Sequence, residues 1–245
     1  MAYHIVTGCF GFWLPNDPRG SGSEWVGSDA LFRAGGRATK VDDRRSHAAD
    51  RHDPLLRRRG KAALSRPPVR LDGPQALAVA RGFAEVVQRD RLTLWALAVM
   101  PDHMHLVLAR RGRLVSNDYD AEAATARFKA FASRRLRQEG LHPGSNAVQT
   151  AGRLPTIWQQ KQWIVFLSTP SRVHQTIQYV ERNPLAAGLP SQSWSFVTPC
   201  DLDSTPPASP SPTGGASHSR RAPPVGDGEA GQAGEQDAPL GRINR

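Results

Sequence analysis

Residues 92–110, LTLWALAVMPDHMHLVLAR, constrain the fold of this chain more than any other stretch. Two apolar runs meet at Met100-Pro101-Asp102, and His103 and His105 open the second. Apolar runs of this length around a Pro/Asp turn signal predict two adjacent, largely buried β-strands. Alternation along the second strand sends His103 and His105 to one face and Met104, Leu106 and Leu108 to the other. Two imidazoles side by side on a rigid strand, anchored by apolar residues behind them, make half of a metal site. An isolated His-x-His is a short pattern, so its meaning depends on a further ligand elsewhere in the chain.

Composition bounds the partners. The 245 residues suit one domain with tails or two small ones, and a hydrophobic content of 39% is low for a chain packed wholly into a core. A net charge of +10 favours polyanions, with nucleic acid ahead of a membrane surface. The first residues carry no basic leader with an uninterrupted apolar run, and no later run is long enough to span a membrane. Cys9 and Cys200 are the only cysteines and lie far apart, so a disulfide framework is not expected and a reducing cytoplasm is.

Along the chain, residues 2–14 suit a first strand and residues 15–20, PNDPRG, a turn. Phe12 reads as core, while Trp13 beside Arg19 reads either as core or as a stacking platform for bases. Residues 20–70 read as a long, basic, mobile insertion with little periodicity. A helix is expected from Asp72 to about Asp90 with Leu77, Ala80, Phe83 and Val87 on one face. A second, over about 120–139, stops at Gly140 and interleaves Ala124, Phe128, Phe131 and Leu136 with Arg127, Lys129, Arg134, Arg135 and Arg137. One of its faces packs and the other is basic. Residues 157–167 suit a further strand, with Trp158, Lys161 and Trp163 of most interest. A third helix begins at Thr169-Pro170, packs Val173, Ile177 and Val180, and is expected to end before Pro184. The domain should therefore occupy 1–198, followed by a disordered tail over 199–245 rich in Pro, Gly, Ser and Ala.

The third helix also places Gln175, Tyr179 and Asn183 at four-residue spacings on a stripe of their own. A tyrosine beside an amide, delivered next to a two-histidine strand, suits metal-assisted phosphoryl transfer. His103, His105 and the Asn183 oxygen can hold a divalent cation with open positions, and Tyr179 is then the nucleophile. A phenol needs such a cation nearby to react as phenolate at neutral pH.

At these residues the chain resembles the HUH-class single-tyrosine transposases, and within them the REP-associated tyrosine transposases. The resemblance rests on Pro101-Asp102-His103-Met104-His105-Leu106 and on the run from Tyr179 through Asn183-Pro184 to Leu189, with further landmarks at residues 158–163 and at Ser193-Trp194-Ser195. It covers the first strand and about residues 72–196. It implies an α+β fold with a ferredoxin-like antiparallel sheet and packed helices. It also implies cleavage and rejoining of single-stranded, hairpin-bearing DNA through a covalent 5′-phosphotyrosine that frees a 3′-hydroxyl, in DNA transposition. By motif matching His103 and His105 bind Mg²⁺ or Mn²⁺, Asn183 is the third ligand and Tyr179 the nucleophile; a homodimer is one assembly the family allows. Arg127, Lys129, Arg134, Arg135 and Lys161 are the candidate DNA contacts. Two departures stand out: the 20–70 insertion is longer than relatives carry there, and Ile164-Val165 follow Trp163 where relatives usually have an acidic residue or a histidine. Two other readings are a module that binds structured single strands without cutting them, and a rolling-circle or conjugation initiator of the same chemistry. Retention of both histidines, Tyr179 and Asn183 argues against the first; a lone candidate tyrosine on the helix and no helicase-like segment argue against the second.

Overall fold

A computed structural model of the chain describes residues 1–42, 47–110, 121–145 and 154–202. The elements are β1 (Ala2–Cys9), α1 (Asp29–Gly35), α2 (Pro54–Ala62), α3 (Gly73–Asp90), β2 (Leu94–Val99), β3 (His103–Ala109), α4 (Ala121–Gln138), β4 (Trp158–Leu167) and α5 (Pro170–Ala186). The four strands form one antiparallel sheet in the order β2-β3-β1-β4. Leaving aside α1 and α2, the order β1-α3-β2-β3-α4-β4 is the split βαβ pattern of a ferredoxin-like fold, as expected.

Alternation sorts the side chains of the two central strands onto two cores. Ile5 and Cys9 of β1 and Met104, Leu106 and Leu108 of β3 face α3 and α4, with Phe83 and Phe128 in ring contact between the helices at 4.8 Å. Val107 and Ala2 face the other way, onto Val173 and Val180 of α5. The expected His103/His105 face is therefore the α5 face of the sheet.

The helices begin where the sequence signals lie. Asp72 caps α3 in a capping box with Gln75: the Gln75 N–H donates to Asp72 Oδ1 at 2.8 Å, and the Asp72 N–H donates to Gln75 Oε1 at 3.0 Å. Ala80, Phe83 and Val87 are buried as expected, whereas Leu77 is exposed. Gly82 lets α3 and α4 approach closely, since a Cβ there would lie 2.6 Å from Ala132 Cα. Thr169 caps α5 by accepting from the Arg172 N–H. That helix does not stop before Pro184 but continues to Ala186, because a proline in the last turn removes only one donor. The turn closes instead through the Ala187 N–H to Asn183 O and the Leu189 N–H to Pro184 O.

The 20–70 stretch, expected to lack regular structure, holds two helices. Ser28 caps α1 and Asp53 caps α2, with Pro54 in the first turn. Before them, buried Asp17 accepts from Arg19 Nε at 2.8 Å and Nη2 at 2.9 Å, and from Arg57 Nε at 3.4 Å. Trp13 lies 3.7 Å beneath the Arg19 guanidinium and donates to Gly20 O. The Trp13–Arg19 pair is thus consumed in holding the base of the insertion.

Gln192 pairs with both the N–H and C=O of Val99, each at 2.8 Å, while Trp194 donates to Leu97 O and the Thr198 N–H to Leu94 O. Residues 192–198 therefore cover the open edge of β2. Tyr119 and almost all of the tail, from 203 onward, lie outside the described residues, as does the expected helix start at Asp120.

Candidate active site

Strand β3 runs through the middle of the sheet, so His103 and His105 project from a backbone paired on both sides. Their Nε2 atoms are 3.0 Å apart. Two nitrogens bound to one octahedral cation at ~2.1 Å and at right angles lie about 3.0 Å apart, so the spacing matches two neighbouring ligands of a single ion. Among the described residues, no group of three or more His, Cys, Asp or Glu side chains is arranged to share an ion.

Each imidazole is held from behind. Asp102 Oδ1 accepts from His103 Nδ1 at 2.7 Å, which turns the Nε2 edge of His103 outward. Phe12 stacks on the His103 ring with centroids 4.4 Å apart. Gly8, the register partner of His103, makes room for this, because a Cβ there would meet Phe12 Cδ1 at 2.7 Å. His105 is backed by His4, whose Nε2 lies 3.1 Å from His105 Nδ1 and whose ring stacks at 5.3 Å.

One proton per ring satisfies the whole row. His4 Nε2–H donates to His105 Nδ1, His105 Nε2–H donates to His103 Nε2, and His103 Nδ1–H donates to Asp102, an assignment that follows from the network itself. The electrostatics agree. Burial, reinforced by the neighbouring His103 and His4, pushes His105 down to about 2, and burial pushes His4 down to about 4. Burial alone would raise the Asp102 carboxyl. The hydrogen bond and charge of His103, with Arg70 and Lys61, outweigh it and hold Asp102 below the usual carboxylate range. A neutral His105 next to an ionised Asp102 suits metal ligation.

Tyr179 meets this row from α5. Its ring stands edge-on to His105 at 5.4 Å and to His4 at 6.1 Å, and it is 50% exposed. Trp163 of β4 closes the same corner, edge-on to His4 at 5.5 Å. Asn183, one turn beyond Tyr179, is half-buried, and its Nδ2 has no hydrogen-bond partner among the described residues. The two ends of an amide are distinguished by their hydrogen bonds, and no bond at Nδ2 fixes this one. Gln175, two turns before Asn183, is exposed.

Four of the five candidate DNA contacts lie together, away from the histidines. Arg127, Lys129, Arg134 and Arg135 all lie on α4, which packs with α3 on the face opposite the histidines. Arg127 pairs with Asp90 at 2.7 Å, and Arg134 and Arg135 both pair with Glu85. Lys129 donates to Gln159 O at 2.9 Å and to Gln162 Oε1 at 3.2 Å, and burial pushes it down to about 8. These four cations join α4 to α3 and β4 rather than converging with His103, His105 and Tyr179. Lys161 is exposed on β4, within the register irregularity between Trp158 and Gln162.

His4 and Trp163 complete the site, and only Trp163 drew notice from sequence. His4 had a readable signal. It sits between Tyr3 and Ile5 of the first strand, so if Ile5 faces a core, His4 faces the opposite side.

No protein-family model matches the chain. No curated protein matches it in sequence either. Among solved structures it is similar to a REP-associated tyrosine transposase bound to a REP hairpin, at 14% identity and a TM-score of 0.39 over 76% of this chain and 68% of that one. It is also similar to a protein described as a candidate transposase from Deinococcus radiodurans R1, at 16% identity and a TM-score of 0.33 over 74% of this chain and 89% of that one. A likeness of this strength transfers no function, which the side chains of this chain must decide.

Proposed function

We propose that this protein is a transposase-type endonuclease that cuts and rejoins single-stranded, hairpin-bearing DNA through Tyr179. The observation that carries the reading is the 3.0 Å approach of the His103 and His105 Nε2 atoms, with the half-exposed Tyr179 ring 5.4 Å from His105. His103, His105 and the Asn183 oxygen would hold Mg²⁺ or Mn²⁺. A cation held by these residues would polarise the scissile phosphate and favour the phenolate.

The residues have separable roles. Asp102 keeps the His103 proton on Nδ1 and leaves Nε2 free. When the proton between the two Nε2 atoms is displaced, the His4 proton passes from Nε2 to His105 Nδ1 and His4 Nδ1 takes up one proton in exchange for the one displaced, so each ring keeps one proton and His4 Nε2 passes from donor to acceptor. Tyr179, open to solvent, gives up its phenolic proton, and its Oη attacks phosphorus. The new bond is Tyr179 Oη–P, the P–O3′ bond breaks, and the departing O3′ takes a proton to become a 3′-hydroxyl. Rejoining is the reverse, with a 3′-hydroxyl displacing Tyr179 from the 5′-phosphate.

The test is incubation of the full chain with a pool of hairpin-bearing single strands and Mn²⁺, followed by denaturing electrophoresis. A covalent protein–DNA adduct that EDTA abolishes supports the reading. Retention of DNA with no adduct under any strand or metal supports a binding module instead.

A further inference from the structure

A cavity of about 180 Å³ opens beside the histidine row, on the Asp102 side of His103. Its lining includes Phe12, Lys61, Val69, Arg70 and Asp102, so it lies between the helical insertion and the turn that carries the histidines. Its walls are built into the backbone. The Val69 N–H donates to Phe10 O at 2.9 Å and the Leu71 N–H to Pro101 O at 2.6 Å, which pins Arg70 between the end of β1 and the β2–β3 turn. The Cys9 N–H donates to Asp102 O at 2.8 Å and joins those two walls to each other. Lys61 comes from the last turn of α2 and is half-buried, with Arg57 and Asp17 of the buried ion cluster close enough to act on its charge.

Size and charge limit the occupant. At ~30 Å³ per water the cavity has room for about six waters, well below the ~300 Å³ of the smaller ligand pockets, which fits a phosphodiester with its sugar and excludes a large cofactor. Lys61 and Arg70 bring two positive charges against the single negative charge of Asp102. That carboxylate is already engaged by His103 at 2.7 Å and by Arg70 at 3.6 Å. Arg70 is largely exposed, so its guanidinium can leave this loose pairing for an incoming anion. Phe12, stacked on His103, offers an apolar wall to a sugar or base.

We propose that this cavity is a subsite for one nucleotide of the bound DNA strand adjoining the cleaved bond, with Lys61 and Arg70 on its phosphate and Phe12 against its sugar. The inference rests on the proposed reading of the site as one that takes single-stranded DNA. It gives the insertion a role, in which α2 and residues 69–71 carry the strand past His103.

The test is fluorescence anisotropy of a labelled hairpin-bearing single strand with the full chain in EDTA, across a series of salt concentrations. Lys61→Met, Arg70→Met and the double variant are compared with Arg37→Ala, which removes one exposed charge from the same insertion away from the cavity. Methionine keeps the bulk of each side chain, and thermal melting confirms that each variant is folded. Each cavity cation removed should weaken binding most at low salt and flatten the slope of log affinity against log salt by about 0.7, so that the deficit relative to the parent shrinks about threefold from 50 to 200 mM salt, while Arg37→Ala changes neither. Slopes equal to that of Arg37→Ala in folded variants overturn the subsite, as does a loss confined to free phosphate or mononucleotide with strand binding intact. Adduct formation is scored separately on the parent, so an adduct with unchanged slopes refutes the subsite alone. Reduced slopes without any adduct refute the nuclease and keep the subsite.

Discussion

Replacing His4 with alanine should weaken divalent-metal binding although His4 is not a ligand. In the folded chain its Nε2 is the partner of His105 Nδ1, at 3.1 Å, in a buried position. Truncation leaves that nitrogen without a partner, at about 1–3 kcal/mol, and the vacated ring volume raises the total destabilisation to roughly 2–4 kcal/mol. It also frees the His105 ring to turn, so its Nε2 no longer stays 3.0 Å from that of His103. Loss of such an orienting partner typically costs 10–100-fold in metal affinity, or about 1.4–2.7 kcal/mol. Mn²⁺ titration followed by electron paramagnetic resonance reads this directly, with unfolding in EDTA measured on the same preparations. His4→Gln places an amide near the lost Nε2 and should recover most of the metal affinity. Equal Mn²⁺ affinity for parent and His4→Ala, or a folded His4→Gln no better than the alanine, would show that His4 does not position His105.

Two further outcomes follow from the packing and the charges. Gly82→Ala should cost about 1–3 kcal/mol of stability, because the added Cβ would lie 2.6 Å from Ala132 Cα, a backbone atom that cannot swing aside; an unchanged urea midpoint would contradict the close α3–α4 approach. In EDTA, stability should fall as pH drops below about 6.5. Unfolded histidine protonates near there, whereas folded His4 and His105 resist until about 4 and about 2, so the unfolded state binds more protons in the window between. The limiting slope is about 1.4 kcal/mol per pH unit for each ring. Urea melts at pH 7, 6 and 5 should show this slope roughly halved by His4→Gln, and a slope unaffected by that change would refute the assignment.

Much of the scaffold was legible because its signals are local. Residues 92–110 alternate against two cores, so one strand's pattern fixes which way His103 and His105 point. Asp72 and Pro74 mark a helix start locally, the first as a cap and the second by its fixed φ in the first turn. His4 was harder, since its meeting with His105 depends on β1 pairing with β3 in a register that sets Val6 opposite His105, and no local pattern encodes that. The α4 arginines read as a basic face because Glu85 and Asp90, which pair with them, lie 37 to 50 residues earlier on α3. In the insertion, Asp53-Pro54 was a readable cap, but the surrounding arginines hid a helix that Arg57 ties to Asp17. Pro184 illustrates a rule applied too strictly, because in a final turn its cost is a single donor.

The central claim is that Tyr179 Oη forms a covalent bond to DNA, and Tyr179→Phe tests it most directly. The substitution removes one oxygen and keeps the ring that stands edge-on to His105 and His4, so stability, Mn²⁺ binding and strand affinity at fixed salt should stay near the parent values. With Mn²⁺ and a hairpin-bearing single strand that the parent cleaves, denaturing electrophoresis should show the adduct for the parent and none for the phenylalanine variant. An adduct that persists in Tyr179→Phe would place the nucleophile on another residue and contradict the claim.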